Sequence, residues 1–264
     1  MPQTSSPLPT LSVITPSLNA GQTIRESITS VLNQNYHSCQ YIVIDGGSSD
    51  NTMEILKEYE HRIDIVISEP DNGISDAFNK GISRATGEYI AILNADDFYE
   101  RDAFSSVLSM AEKFSFPDVL HGTLRYIAEP NPAYIEAPDI TQIWNYMSVF
   151  HPTMFVHRRV YEAVGNYRLD YSYAMDSEWV HRAIIQGIDF VEVPGVVSNM
   201  RLGGASYSHM YRSLSEFRKS ALIHGGNWSN ATYYFVRQLA IQNLLKIGWV
   251  KRAALRRKAQ EKNF

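Results

Sequence analysis

Gly87-Glu88-Tyr89-Ile90-Ala91-Ile92-Leu93-Asn94-Ala95-Asp96-Asp97 is an apolar run of strand length that ends in two adjacent carboxylates. A continuous apolar run reads as a strand buried on both faces, the kind found in parallel sheets. Ligands of open α/β sheets collect beyond the carboxyl ends of such strands. Two acids at that edge repel each other and lose solvation unless a positive charge lies between them and a ligand. A hard divalent cation, Mg²⁺ or Mn²⁺, bridging carboxylate and phosphate oxygens is the natural occupant. Taken alone, the pair also reads as a solvated acidic turn.

The residues upstream repeat the pattern. Leu11 to Thr15 reads as a short strand stopped by Pro16, followed by the loop Pro16-Ser17-Leu18-Asn19-Ala20-Gly21. Thr23 and Glu26 have capping-box spacing, and Ile24, Ile28, Val31 and Leu32 form one apolar helix face. Tyr41 to Ile44 is a second strand, ending in Asp45-Gly46-Gly47-Ser48-Ser49-Asp50, and a helix with Met53, Ile55 and Leu56 follows. Ile63 to Ile67 is a third strand, and the next helix runs from about Ser75 to Arg84. Strand and helix thus alternate up to Asp97, which implies right-handed crossovers and a mostly parallel sheet. All the strand-end loops then lie on one edge, and a nucleotide site there draws on Pro16-Ser17, Asp45, the Asp71 to Asp76 region and Asp96-Asp97 together.

The second half is mixed. Val119 to Tyr126 and Phe190 to Val197 read as strands, Val160 to Val164 and Glu178 to Gln186 as helices. The tail from about Tyr207 is helical in pattern, and Lys246 to Phe264 carries seven Lys or Arg against one Glu. The 264 residues suit one large α/β domain with an appendage: a domain over 1–206, with a first half over 11–100 and a second over 101–206, and a basic helical extension over 207–264. A net charge of −4 gives no reason to expect nucleic-acid binding. The single cysteine, Cys39, excludes an intrachain disulfide and a cysteine-based zinc site. The polar, Pro/Ser-rich start has no signal-peptide pattern, and no apolar run is long enough to span a bilayer. The expected location is cytoplasmic, including peripherally on the cytoplasmic face of the membrane. The sequons at Asn227 and Asn230 read as plain loop residues.

In this order the motifs resemble the family 2 glycosyltransferases, inverting enzymes of the GT-A fold. The resemblance rests on Pro16-Ser17-Leu18-Asn19, on Asp45 to Thr52, on Asn79-Lys80-Gly81 before Gly87-Glu88-Tyr89-Ile90, on Ala95-Asp96-Asp97, and on Asp176-Ser177-Glu178-Trp179. It covers about Leu11 to Arg201, and Asp71 to Ala77 is similar to the branch that builds bacterial surface polysaccharides. The resemblance implies a donor that is a nucleotide-diphosphate sugar, UDP- or GDP-linked, and a saccharide or lipid-linked acceptor.

It also implies residue roles. Asp45 accepts a hydrogen bond from the base, or caps the helix that follows. Pro16 and Ser17 shape the base pocket, or simply end the strand. Asp96 and Asp97 serve the ribose and a Mn²⁺ or Mg²⁺ ion, with Asp97 the direct ligand. Asp71 and Asp76 line the donor pocket, or serve the turn and helix cap. Asp176 is the general base that deprotonates the acceptor hydroxyl, or an N-cap; Glu178 is the alternative base, or a first-turn acid. His151 touches diphosphate or acceptor, or is structural. Arg201 pairs with phosphate from a glycine-containing lid, or sits in a surface loop. Trp144, Tyr146 and Tyr173 stack on the acceptor, or belong to the core. The tail, with Trp249 among its basic residues, suits an anionic membrane surface, packing on the catalytic domain, or a second subunit in a homodimer.

Two rival functions remain. A sugar-nucleotide nucleotidyltransferase would share the sheet and the acids, but it calls for a basic glycine-rich loop after the first strand, and Pro16 to Gly21 has no Lys or Arg. A non-catalytic nucleotide-sugar-binding protein need not retain Asp45, Asp96, Asp97 and Asp176 together.

Overall fold

The computed structural model describes residues 10–36, 38–128, 131–203 and 209–245. The basic tail and the end of the glycine-containing loop lie outside them. Four strands, β1 (Leu11–Ser17), β2 (Cys39–Asp45), β3 (Ile65–Ser68) and β4 (Tyr89–Ile92), pair in parallel in the order β3-β2-β1-β4. Helices α1 (Ile24–Leu32), α2 (Thr52–Glu58) and α3 (Ile74–Arg84) make the crossovers.

The apolar runs are continuous because both sheet faces are covered. Val13, Tyr41, Val43, Tyr89 and Ala91 pack on one face with α1, α2 and α4 (Ala103–Lys113). Their strand neighbours Ile14, Ile42, Ile44, Ile90 and Ile92 pack on the other face with α3, α5 (Arg158–Val164) and α6 (Met175–Ile185). The period-two alternation of a strand sends successive side chains to two separate cores.

The sheet continues with mixed polarity through β8 (Phe155–His157), β6 (Val119–Ala128), β9 (Phe190–Arg201) and β5 (Phe98–Tyr99), while β7 (Asn131–Glu136) pairs with β6. Two helices end the described residues, α7 (Met210–Ile223) and α8 (Trp228–Leu245). Asn227 caps α8, its Oδ1 accepting from the amides of Ser229 at 3.0 Å and Asn230 at 3.2 Å.

Three local expectations are corrected. Pro16 does not stop β1; it lies opposite Ile44 within the strand. Pairing of β1 with β4 ends at Ile14, so a residue without N–H costs no ladder bond on that side. Thr23 and Glu26 form no capping box: Thr23 makes no side-chain cap, and Glu26 reaches Arg201 instead. Strand β9 runs beyond Val197 to Arg201, with a register shift at Gly122–Thr123 where Pro194 and Gly195 bulge out.

Gly87 sits where strands crowd. A Cβ there would lie 2.5 Å from the backbone of Leu11 and of Ser12. Gly87→Ala should therefore lower stability by about 1–3 kcal/mol, the range for overpacking. An unchanged urea midpoint would mean that β1 and β4 can separate freely.

His121 and His181 are buried, and burial pushes both down to about 4. Unfolded histidine titrates near 6.5. Above that pH both states are neutral and the folded chain keeps its full stability. Between about 6.5 and about 4 the unfolded chain binds protons that the folded chain refuses, so stability falls as pH drops. The loss is at most about 3 kcal/mol per histidine. Urea unfolding at pH 7 and pH 4.5 should show it, and His121→Leu should reduce the difference.

Candidate active site

The carboxyl ends of β1, β2 and β3 meet around Asp45, which is fully buried. Its Oδ1 accepts from Ser17 Oγ at 3.0 Å and from Ser48 Oγ. Its Oδ2 accepts from Ser68 Oγ at 2.7 Å, from the Ser48 amide at 2.9 Å and from the Gly47 amide at 3.1 Å. Burial pushes this carboxyl up, but the bonds from Ser48, Ser68 and Ser17 outweigh it and hold it below its ordinary value. An ionised carboxylate has about four acceptor positions, and here all are in use. Any further donor to Asp45 would have to replace one of these bonds. The loop lies close against Asp71: a Cβ on Gly46 would fall 2.6 Å from Asp71 Oδ2, and Asp71 Oδ1 accepts from the Gly73 amide at 2.9 Å.

Asp76 stands apart from this cluster. It accepts from the Asn72 amide at 3.0 Å and lies 3.5 Å from Lys80, which also meets Glu69 at 2.9 Å. The Asn79-x-Gly81 element has a visible structural use. Asn79 makes paired bonds with Tyr167, donating to its carbonyl at 2.8 Å and accepting from its amide at 2.9 Å. A Cβ on Gly81 would fall 2.3 Å from Ile14, so glycine lets α3 lie on β1.

Beyond β4, the Asp97 amide bonds to the Asn94 carbonyl at 3.0 Å and closes a turn over Asn94 to Asp97. The turn buries Asp97, which is only 1% exposed, and leaves Asp96 half-buried. Burial and then the neighbouring Asp96 raise the Asp97 carboxyl well above its usual range; the Arg201 amide and the Asn94 side chain offset this only in part. Asp97 Oδ2 accepts from Asn94 Nδ2 at 3.3 Å, while Oδ1 is buried without a partner. An orphaned buried carboxylate oxygen beside a second acid fits a cation. Among the described residues no group of three or more His, Cys, Asp or Glu could hold a metal.

The same Asn94 amide lies 3.1 Å from His151 Nε2, and His151 Nδ1 lies 3.3 Å from Asp176 Oδ2. With the amide donating, Nε2 accepts, and the ring proton sits on Nδ1 facing Asp176. Asp97, Asn94, His151 and Asp176 thus form one hydrogen-bonded run. Asp176 is the second residue of α6 and not its N-cap, which is Ala174. Its Oδ1 accepts from the Ser177 amide at 2.7 Å, and its side chain stays 19% exposed.

Arg201 is not free. It donates to the Asp96 carbonyl at 2.7 Å, pairs with Glu26, and lies 5.1 Å from the Phe98 ring centre. The added length of β9 carries it there and ties α1 to the acidic turn. Glu178 is fully buried between Arg182 at 2.9 Å and His224 at 3.3 Å, so it faces no acceptor. Trp144 stacks on His181 and Tyr173 on His209. Burial raises the Cys39 thiol to about 12, so it carries no reactive thiolate. Sequence reasoning missed Asn94 and Ser68 as site residues. The only signal for Asn94 was a polar amide at the very end of the apolar run.

The sequence profile of glycosyl transferase family 2 matches residues 12–165, more than half of the chain. The chain belongs to this family. Among curated relatives, it is 35% identical over 136 residues to TuaG of Bacillus subtilis, a glycosyltransferase assigned to teichuronic acid biosynthesis. That match covers 50% of this chain and 54% of the relative, so the chain spans about half that protein's length. It is 27% identical over 172 residues to a PGL/p-HBAD biosynthesis glycosyltransferase of Mycobacterium tuberculosis, covering 64% of this chain and 67% of the relative. Among solved structures it is similar to a Pyrobaculum calidifontis mannosyltransferase in complex with GDP-Man and Mn²⁺, with a TM-score of 0.62, 18% identity, and coverage of 97% of this chain and 87% of that one. It is also similar to Staphylococcus aureus TarS in complex with UDP-GlcNAc, with a TM-score of 0.61, 14% identity, and coverage of 87% and 71%. These likenesses show the fold, which is GT-A.

Proposed function

We propose that this family 2 glycosyltransferase moves a sugar, with inversion, from a UDP- or GDP-sugar to a hydroxyl of a saccharide or lipid-linked acceptor, in the building of cell-surface glycoconjugates. The observation that carries this reading is the run Asp97–Asn94–His151–Asp176. It links the acid turn at the sheet edge to a partly exposed carboxylate at the start of α6.

Asp176 takes the proton of the acceptor hydroxyl as that oxygen attacks the anomeric carbon. The bond from that carbon to the diphosphate oxygen breaks, and the electron pair leaves with the nucleoside diphosphate. His151, with its Nδ1–H toward Asp176 Oδ2, holds the carboxylate in place. Asp97 and Asp96 would hold Mn²⁺ or Mg²⁺, which when bound neutralises the charge of the departing diphosphate. Asp45 and its serines form the base end of the donor pocket, with Pro16 and Ser17 as its wall and Asp76 bracing the neighbouring turn. Arg201 holds the acidic turn and, if released by Glu26, can meet a phosphate.

Calorimetry with UDP and with GDP, each with and without Mn²⁺, tests the donor side. Metal-dependent binding of one nucleotide supports the reading, and no binding of either under any condition overturns it. No helix among the described residues is long and apolar enough to cross a membrane. The basic tail lies outside the described residues. Vesicle flotation and sedimentation separate its two proposed uses, contact with the cytoplasmic membrane face and homodimer formation.

A further inference from the structure

The stretch leading into α6 is held from two sides. On one side, Asn79 and Ser75 of α3 bond to Tyr167 and to the Tyr171 carbonyl, the latter at 3.2 Å. On the other side is α7. Glu216 of α7 places Oε2 at 3.0 Å from the Ser172 amide, 2.8 Å from the Tyr173 amide and 3.0 Å from the Ala174 amide. Three consecutive backbone N–H groups therefore converge on one carboxylate oxygen, just before the helix that carries Asp176.

Helix α6 has no side-chain cap of its own, because Ala174 is its N-cap. Its first turn carries its own acids, Asp176 and Glu178. The amides just before it, Ser172 to Ala174, bond instead to Glu216, from 42 residues further along the chain. Helix α7 is itself fixed on α6, with His181 Nδ1 2.7 Å from Ser220 Oγ and His224 Nε2 3.3 Å from Glu178.

We propose that Glu216 is a positioning residue for Asp176. It fixes the turn Ser172–Ala174 and thereby the direction in which the Asp176 carboxylate faces His151 and the acceptor. This rests on the reading of Asp176 as the base. Glu216 then ties α7 to the turn that carries Asp176, and catalysis requires this one contact.

The test uses the full chain as wild type, Glu216→Gln, Glu216→Ala and Asp176→Asn. Arg218→Ala is the control; it loses the contact with Thr232 at 3.0 Å but leaves Glu216 intact. Turnover is read as nucleotide release from UDP-GlcNAc and from GDP-mannose. The His151 Nδ1–H resonance is read by NMR as a report on its bond to Asp176, and it needs no substrate. The Gln oxygen can take the position of Oε2, so Glu216→Gln should keep the resonance and most of the turnover. Glu216→Ala should lose the resonance and lower kcat on the order of 10- to 100-fold with KM unchanged, as misplacement of a catalytic group does. The control should match wild type. A folded Glu216→Ala that keeps both resonance and kcat overturns the proposal. Wild-type turnover in Asp176→Asn overturns the base reading instead, and the two failures are distinct.

Discussion

Asp176→Asn should lower transfer on the order of 10³-fold while leaving nucleotide binding unchanged, a cost of about 4 kcal/mol in the barrier. The substitution is close to isosteric. The Asn side-chain oxygen can still accept from the Ser177 amide or from His151 Nδ1–H, so the local structure should persist. What is lost is a carboxylate that can take a proton. The measurement is a pair, kcat with the sugar nucleotide and calorimetry with the nucleotide alone. Transfer within a few-fold of wild type would remove Asp176 from the mechanism. Loss of nucleotide binding would instead assign it to the donor pocket.

Asp97→Asn should separate stability from binding. The Asp97 carboxyl is buried beside Asp96, and Oδ1 has no partner. Without a cation, ionising that group is unfavourable, and a neutral amide of the same shape relieves the repulsion. The variant should therefore be at least as stable as wild type in thermal unfolding. Its Mn²⁺-dependent binding of UDP or GDP should fall by more than about 100-fold, the upper range for losing even an outer-shell partner of a metal ligand. Metal-dependent binding that survives in this variant would sink the assignment of Asp97 as a ligand.

The first half was legible because its physics is local. Buried parallel strands must be apolar throughout, and crossovers must put their ends on one edge. Those two facts place Ser17, Asp45, Asp71 and Asp97 at the same edge without knowledge of any contact. The second half was less legible. Glu26 has the spacing of a helix cap, yet its carboxylate goes to Arg201, 175 residues away. The family motif favours Asp176 over Glu178 as the base, but two acids in one helical turn leave Glu178 open as the alternative. Burial between Arg182 and His224 makes Glu178 structural, and contact with His151 from a separate segment makes Asp176 the candidate base.

The sequence by itself determined the α/β alternation, the acid turn after β4 and the order of the family motifs, because strand burial and turn chemistry act between near neighbours. Only the tertiary structure decided that Asn94 and His151 join Asp97 to Asp176, that Ser48 and Ser68 saturate Asp45, and that Glu216 gathers the amides of Ser172 to Ala174 just before α6. Each of the last three depends on side chains brought within about 3 Å by packing. No periodicity or spacing along the chain encodes such a distance, since it is set by how two sheet halves and a C-terminal helix pair close on one another.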